Sequence, residues 1–89
     1  RKDPAYLAAY DALAEEFEIM SALIQARRKA GLSQSEIARR MRTTQPAVAR
    51  LESAAHRASL TSIRSYAAAT GHRLRISLEP LPIKERVSQ

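Results

Sequence analysis

Residues 34–51 read QSEIARRMRTTQPAVARL, and this stretch decides the fold of the chain. Ser33 and Glu36 stand three residues apart, in the S-x-x-E capping box that begins a helix. The helical pattern stops at residues 42–44, and Pro46, which is tolerated only in the first turn of a helix, indicates a second start. The stretch therefore predicts two short helices joined by a tight turn, with Ile37, Met41, Val48 and Leu51 facing the core.

A longer helix is predicted before this stretch and another after it. An apolar stripe with spacings of three and four residues begins at Tyr6 and predicts one helix from Pro4 to about Ala30, with a kink near Ser21 as the alternative. Its other members are Tyr10, Leu13, Phe17, Met20 and Ile24. Ser59 is the predicted N-cap of a further helix over residues 60–70, which Gly71 ends.

Residues 73–79, RLRISLE, alternate strictly between polar and apolar side chains, which predicts one β-strand. Leu74, Ile76 and Leu78 would pack on the helices. A lone strand leaves its backbone groups unpaired, so we expect it to pair with a second copy across a homodimer twofold axis. The predicted fold class is all-α with one C-terminal β-strand, and an unstructured tail is the alternative for this segment.

Length and composition exclude several classes of protein. A chain of 89 residues forms one small domain, and the absence of cysteine excludes disulfides, cysteine zinc sites and thiol nucleophiles. Its two histidines lie apart with no carboxylate pattern, so we predict no catalytic residue, metal site or cofactor. No uncharged apolar run approaches a length of ~18 residues, so we expect a soluble cytoplasmic protein that does not bind membranes.

Charge is distributed unevenly along the chain. Residues 27–75 carry eleven Arg and Lys residues against Glu36 and Glu52, whereas residues 1–26 carry five acidic residues against two basic ones. The basic segment indicates a surface that binds a polyanion, and the acidic segment indicates a second surface with a different role. A solvated helical face with a chance excess of arginine is the alternative.

Residues 27–71 resemble the DNA-binding domain of the phage Cro and repressor group, the XRE family of helix-turn-helix proteins. The resemblance implies a lambda-repressor-like bundle with a structural ion pair between Arg27 and Glu52, and a second helix of the motif that enters the major groove of double-stranded DNA. It assigns base contacts to Thr44, Gln45, Pro46, Ala47 and Arg50. It assigns phosphate contacts to Gln34, Arg39, Arg42 and Arg57. Arg42 stands where the family places a turn glycine, so we expect this arginine at positive φ.

The flanking segments resemble those of small HigA-like antitoxins. The resemblance implies a repressor of its own operon that also neutralises a basic ribonuclease toxin of the HigB or RelE type, with the acidic helix as a candidate contact. Packing of that helix in the protein's own dimer is the alternative, and a free-standing XRE-family regulator without a toxin is the alternative function. The predicted divisions are an acidic helix (residues 1–26, continuous with the first helix of the bundle), the DNA-binding domain (27–71), a dimerisation strand (72–82) and a flexible tail (83–89).

Overall fold

The structure is a computed structural model that describes residues 4–82, with the backbone alone for Tyr6 and Leu7. Helix α1 spans Pro4–Ala30, α2 spans Gln34–Met41, α3 spans Gln45–Ser53 and α4 spans Leu60–Ala69. A short 3-10 turn, Ala55–Arg57, lies between α3 and α4. The tail predicted at residues 83–89 lies outside the described residues.

The helices begin and end where the local signals predict. Both hydrogen bonds of the capping box at the start of α2 are present: Glu36 N–H donates to Ser33 Oγ at 3.1 Å, and Ser33 N–H donates to Glu36 Oε1 at 2.7 Å. Ser59 caps α4 by accepting from Ser62 N–H. Helix α1 is a single helix to Ala30, and Gly31 follows it at φ 72°, the left-handed conformation that glycine adopts without strain.

The core lies where α2, α3 and α4 meet the C-terminal half of α1. Ile37, Val48 and Tyr66 are fully buried, and the small side chain of Ala38 is buried with them. Their remaining neighbours in the buried cluster are Leu23, Ala55, Ile63 and Ala69. Met41 and Leu51, both predicted to face inward, are partly buried against this cluster. The packing holds α2 and α3 as one rigid helix-turn-helix unit.

The N-terminal half of α1 extends beyond this core. At about 1.5 Å per residue, a helix of this length reaches roughly 40 Å, and the molecule measures 47 × 22 × 21 Å. Tyr10, Leu13 and Phe17 are 62%, 63% and 67% exposed. These three residues of the predicted apolar stripe therefore form an exposed face, and Met20 and Ile24 are half-buried. The α1 residue in the buried cluster is Leu23, which the predicted stripe did not include.

The predicted C-terminal strand is wrong, because the regular structure within residues 4–82 is entirely helical and residues 72–82 form no strand or sheet. A strand requires backbone hydrogen bonds to a neighbouring strand, and alternating side chains do not supply them. Leu74 packs against the core, but Ile76 and Leu78 are 61% and 95% exposed. The alternation therefore does not mark one buried face, and the predicted ribbon across a homodimer has no strand from which to form.

The turn between α2 and α3 depends on a left-handed arginine. Arg42 lies at φ 58° and ψ 47°, and its N–H donates to the carbonyl of Arg39 at 3.2 Å. Thr43 N–H then donates to the carbonyl of Ala38 at 2.8 Å, which closes the end of α2. A residue with a Cβ atom is strained in this conformation, as expected for an arginine in a position that favours glycine.

We expect Arg42→Gly to increase the free energy of unfolding by up to about 1 kcal/mol, because glycine adopts the left-handed conformation without the Cβ clash. Urea unfolding followed by circular dichroism measures this change. Arg42→Ala is the matched control, since it removes the same charged side chain but keeps the Cβ atom. Equal free energies of unfolding for the two variants would contradict the proposed backbone strain at residue 42.

Candidate nucleic-acid interface

A buried carboxylate joins α1, α2, α3 and α4. Glu52 on α3 is 3% exposed, and Arg27 on α1 binds it through two hydrogen bonds, Nε to Oε2 at 2.6 Å and Nη2 to Oε1 at 3.2 Å. Tyr66 on α4 donates its hydroxyl to Oε2 at 2.6 Å. Gln34 at the start of α2 donates Nε2 to Oε1 at 2.8 Å. The structure thus brings together Arg27 and Glu52, the two residues that the family resemblance pairs.

The surroundings of this cluster keep Glu52 ionised. Burial by itself would raise the pKa of Glu52, but the hydrogen bonds from Arg27, Tyr66 and Gln34 outweigh burial and hold that pKa below its ordinary value. The hydrogen bond with Glu52 likewise raises the pKa of Arg27. Burial and the nearby carboxylate raise the pKa of Tyr66, so its hydroxyl stays protonated and donates. The cluster is a carboxylate surrounded by donors.

Helix α3 and its N-cap carry the residues assigned to base contacts, with Arg50 in the last turn of the helix and the others at its start. Thr44 caps the helix by accepting from Ala47 N–H at 3.2 Å, and Pro46 lies in the first turn, where a missing N–H leaves no bond broken. The side chains of Thr44, Gln45, Pro46 and Arg50 are exposed, and Ala47 is half-buried. A short helix with polar and small residues at an exposed end has the form required to enter a major groove.

Gln45 is held at this surface by a neighbour on α2. Its Nε2 donates to Gln34 Oε1 at 2.7 Å, while Gln34 in turn donates to Glu52. The structure therefore brings a candidate phosphate contact, Gln34, beside a candidate base contact, Gln45. Sequence reasoning placed both residues on the interface but did not predict that they bind each other.

The candidate phosphate contacts differ in their positions. Gln34 is half-buried at the N-terminus of α2, and Arg39, Arg42 and Arg57 are exposed. Arg57 follows α3 in the 3-10 turn and borders the same surface depression as Ala47 and Arg50. The chain between α3 and α4 thus brings a basic side chain back beside α3. Arg39 lies on α2, outside that depression.

Two structural contacts escaped the sequence analysis. Tyr66 has no hydrogen-bonding role in the predictions from sequence, although a buried tyrosine hydroxyl ordinarily has a partner, and this signal could have indicated one. It donates to Leu23 O as well as to Glu52. Arg40 has no predicted contact either, but its Nη1 donates to the carbonyl of Ala69 at 2.8 Å. This arginine therefore satisfies a carbonyl at the end of α4.

Residues 4–82 contain no group of three or more acidic or histidine side chains that could hold a metal ion. Within the same residues, no helix is long and apolar enough to cross a membrane. His56 Nε2 lies 3.7 Å from Glu16 Oε1, and this contact connects the 3-10 turn to α1.

Comparisons with known proteins agree with this geometry. The family model described as Helix-turn-helix matches residues 23–75, which include every member of the buried cluster. Antitoxin HigA1 of Mycobacterium tuberculosis, in strains CDC 1551 / Oshkosh and ATCC 25618 / H37Rv, is 34% identical over 83 residues. The alignment covers 93% of this chain and 56% of the relative, so the chain spans about half the length of the curated relatives it matches. No solved structure matches the chain at a significant level.

We expect the free energy of unfolding to decrease as the pH falls below about 5. The pKa of Glu52 is lower in the folded protein than in the unfolded chain, so acid protonates the unfolded chain first. The stability that Glu52 contributes is present above its unfolded pKa and is lost as the pH falls through its folded pKa. Urea titrations over a series of pH values measure this dependence.

Two variants separate the contributions of the carboxylates to this pH dependence. Glu52→Gln removes the buried titration and should flatten the curve, although it also lowers stability at neutral pH. Glu36→Gln is the matched control. The hydrogen bonds of the capping box lower the pKa of Glu36 too, so this variant removes the contribution of the more accessible carboxylate and keeps that of Glu52. An acid dependence as steep in Glu52→Gln as in the wild type would contradict the assignment.

Proposed function

Because this chain belongs to the helix-turn-helix family, we propose that it is a sequence-specific DNA-binding repressor whose α3 enters the major groove. The observation that carries the proposal is the exposure of Gln45 at the start of α3 and of Arg50 in its last turn, on a helix that the buried Glu52 ties to α1. A glutamine side chain suits the N6 and N7 edge of adenine, and an arginine suits the O6 and N7 edge of guanine.

The charge of the same region supports a nucleic-acid partner. Residues 27–75 carry eleven basic residues and two acidic ones, and both acidic side chains are engaged within the protein. Glu52 is paired with Arg27, and Glu36 closes the capping box of α2. The acidic side chains of this region therefore do little to neutralise the exposed arginines on α2 and in the 3-10 turn. Arg39, Arg42, Arg57 and Gln34 would contact phosphates and fix the register of the protein on the duplex.

The proposed repressor acts as a homodimer on two half-sites. One reading helix touches only a few base pairs, and a twofold pair of such helices reads sites about 34 Å apart, one turn of the duplex. The proposed role is non-catalytic, and the place of action is the cytoplasm, where the operator DNA lies.

We further propose that the repressor is the antitoxin of a toxin–antitoxin pair. The relative named Antitoxin HigA1 supports this role. The N-terminal half of α1 also supports it, because Tyr10, Leu13 and Phe17 are exposed there beside the acidic residues Asp11, Glu15, Glu16 and Glu18. An apolar face with acidic flanks complements a basic ribonuclease toxin of the HigB or RelE type. A free-standing regulator without a toxin is the second candidate function.

Substitutions on α3 test the DNA-binding proposal. Gln45→Ala and Arg50→Ala should each weaken binding to the preferred duplex by about 5- to 150-fold, the equivalent of about 1–3 kcal/mol, and should change binding to random duplex far less. Arg39→Ala is the control, because loss of a phosphate contact weakens binding to both duplexes by the same factor. Fluorescence anisotropy titrations measure affinity, and their stoichiometry reports two protomers per duplex. Equal losses on both duplexes for the α3 variants would contradict base reading.

Expression of the neighbouring reading frame tests the antitoxin proposal. We expect it to encode a small basic ribonuclease that arrests growth when expressed alone and is neutralised by this chain. Leu13→Asp combined with Phe17→Asp should abolish neutralisation and leave DNA binding intact, because both residues lie on α1 away from α3. Arg50→Ala should do the reverse. Neutralisation unaffected by the α1 substitutions would exclude that face as the toxin contact.

A further inference from the structure

A continuous chain of hydrogen bonds leads from the core of the protein to its reading helix. The buried Glu52 accepts from Gln34 at 2.8 Å, and the half-buried Gln34 accepts from the exposed Gln45 at 2.7 Å. We propose that Glu52 is a positioning residue that sets which base Gln45 prefers, by fixing the direction of both glutamine amides. The inference rests on the DNA-binding function proposed above.

The direction follows from the chemistry of the carboxylate. An ionised carboxylate only accepts hydrogen bonds, so Gln34 must turn its NH₂ group toward Glu52. The carbonyl oxygen of Gln34 then faces the other way, toward Gln45, and can only accept. Gln45 must therefore present its own NH₂ group to Gln34. Each amide has two orientations of nearly the same shape, and the buried charge selects one of them for both residues.

The partners of Glu52 keep its carboxylate ionised, and an ionised carboxylate allows only one orientation of the Gln34 amide. Arg27 and Tyr66 occupy Oε2 with two donors, both at 2.6 Å, and Arg27 also reaches Oε1. The guanidinium keeps the carboxylate ionised and therefore unable to donate a proton to Gln34. Because these residues belong to α1 and α4, the direction of the Gln45 amide is set by packing on the far side of the helix-turn-helix unit.

The orientation of Gln45 determines what it offers to a base. With one N–H directed at Gln34, its amide retains one donor hydrogen and a carbonyl oxygen with both acceptor positions. That pattern matches adenine, which presents the N7 acceptor beside the N6 donor. In the reversed orientation, the oxygen of Gln45 would accept a hydrogen bond from Gln34. Both N–H hydrogens of the Gln45 amide would then remain free to donate to a base. Such a pattern favours guanine, whose O6 and N7 both accept.

Glu52→Gln tests the inference by reversing the chain of amides. The oxygen of the introduced amide should occupy the Oε2 position, which receives two short hydrogen bonds, and its NH₂ group should face Gln34. Gln34 must then present its oxygen to that group and its NH₂ to Gln45. The purified wild type and variant each select duplexes from a random-sequence pool, and the bound fractions are sequenced.

We expect the wild type to enrich adenine at the base pair whose preference Gln45→Ala abolishes. Glu52→Gln should shift the ratio of adenine to guanine at that position by about tenfold toward guanine. Enrichment of the same base by both proteins would overturn the inference while leaving the DNA-binding function standing. A wild type that enriches no sequence would overturn the DNA-binding function itself, and the inference with it.

Two further variants separate positioning from stability. Tyr66→Phe removes a donor to Oε2 and destabilises the fold, but it leaves the Gln34 contact at Oε1, so the adenine preference should persist. Gln34→Leu breaks the chain without touching the buried ion pair, so the preference at the Gln45 position alone should weaken. If Glu52→Gln does not fold, as judged by circular dichroism, Gln34→Leu decides. An unchanged preference in that variant would overturn the inference.

Discussion

The ion pair between Arg27 and Glu52 is the constraint on which the rest of the structure depends. A charge taken out of water is costly unless donors surround it, and Glu52 has donors from three other helices. The position of α3 is therefore tied to α1, α2 and α4 at once. In a domain this small, whose residues 4–82 have Ile37, Val48 and Tyr66 as their largest fully buried side chains, such a cluster specifies one arrangement of helices that apolar packing alone would specify weakly.

The same carboxylate connects the core to the surface. Through Gln34 it reaches Gln45, so the residue that orders the bundle also orders the side chain that we propose reads DNA. Arg50 is exposed on the same helix and depends on the same placement of α3. The buried cluster thus orders α3 from the inside, which would lower the ordering cost of the DNA binding proposed for this helix. The N-terminal half of α1 extends beyond the helix-turn-helix unit, so it is placed to contact a second partner, such as the proposed toxin.

Particular residues show how far sequence reasoning reached. The capping box at Ser33 and the cap at Ser59 follow from local chemistry, because each depends on residues within one turn of itself. The left-handed Arg42 was expected from the family resemblance, and the cap at Thr44 was not predicted. The strand over residues 73–79 was wrong, because a strand needs a partner that local alternation cannot identify. The exposure of Leu13 and Phe17 could not be predicted either, since an apolar stripe does not indicate whether another part of the protein packs on it.

The sequence by itself determined where the four helices of the described residues begin and where the turn between α2 and α3 lies, because backbone hydrogen bonding and capping within a few residues control both. Tertiary structure alone decided that Gln34 lies between Glu52 and Gln45, and that Tyr66 and Arg27 meet on one carboxylate. Those contacts join residues 11 to 25 positions apart. Only the packing of the helices sets the distances between such residues, so no local pattern encodes them.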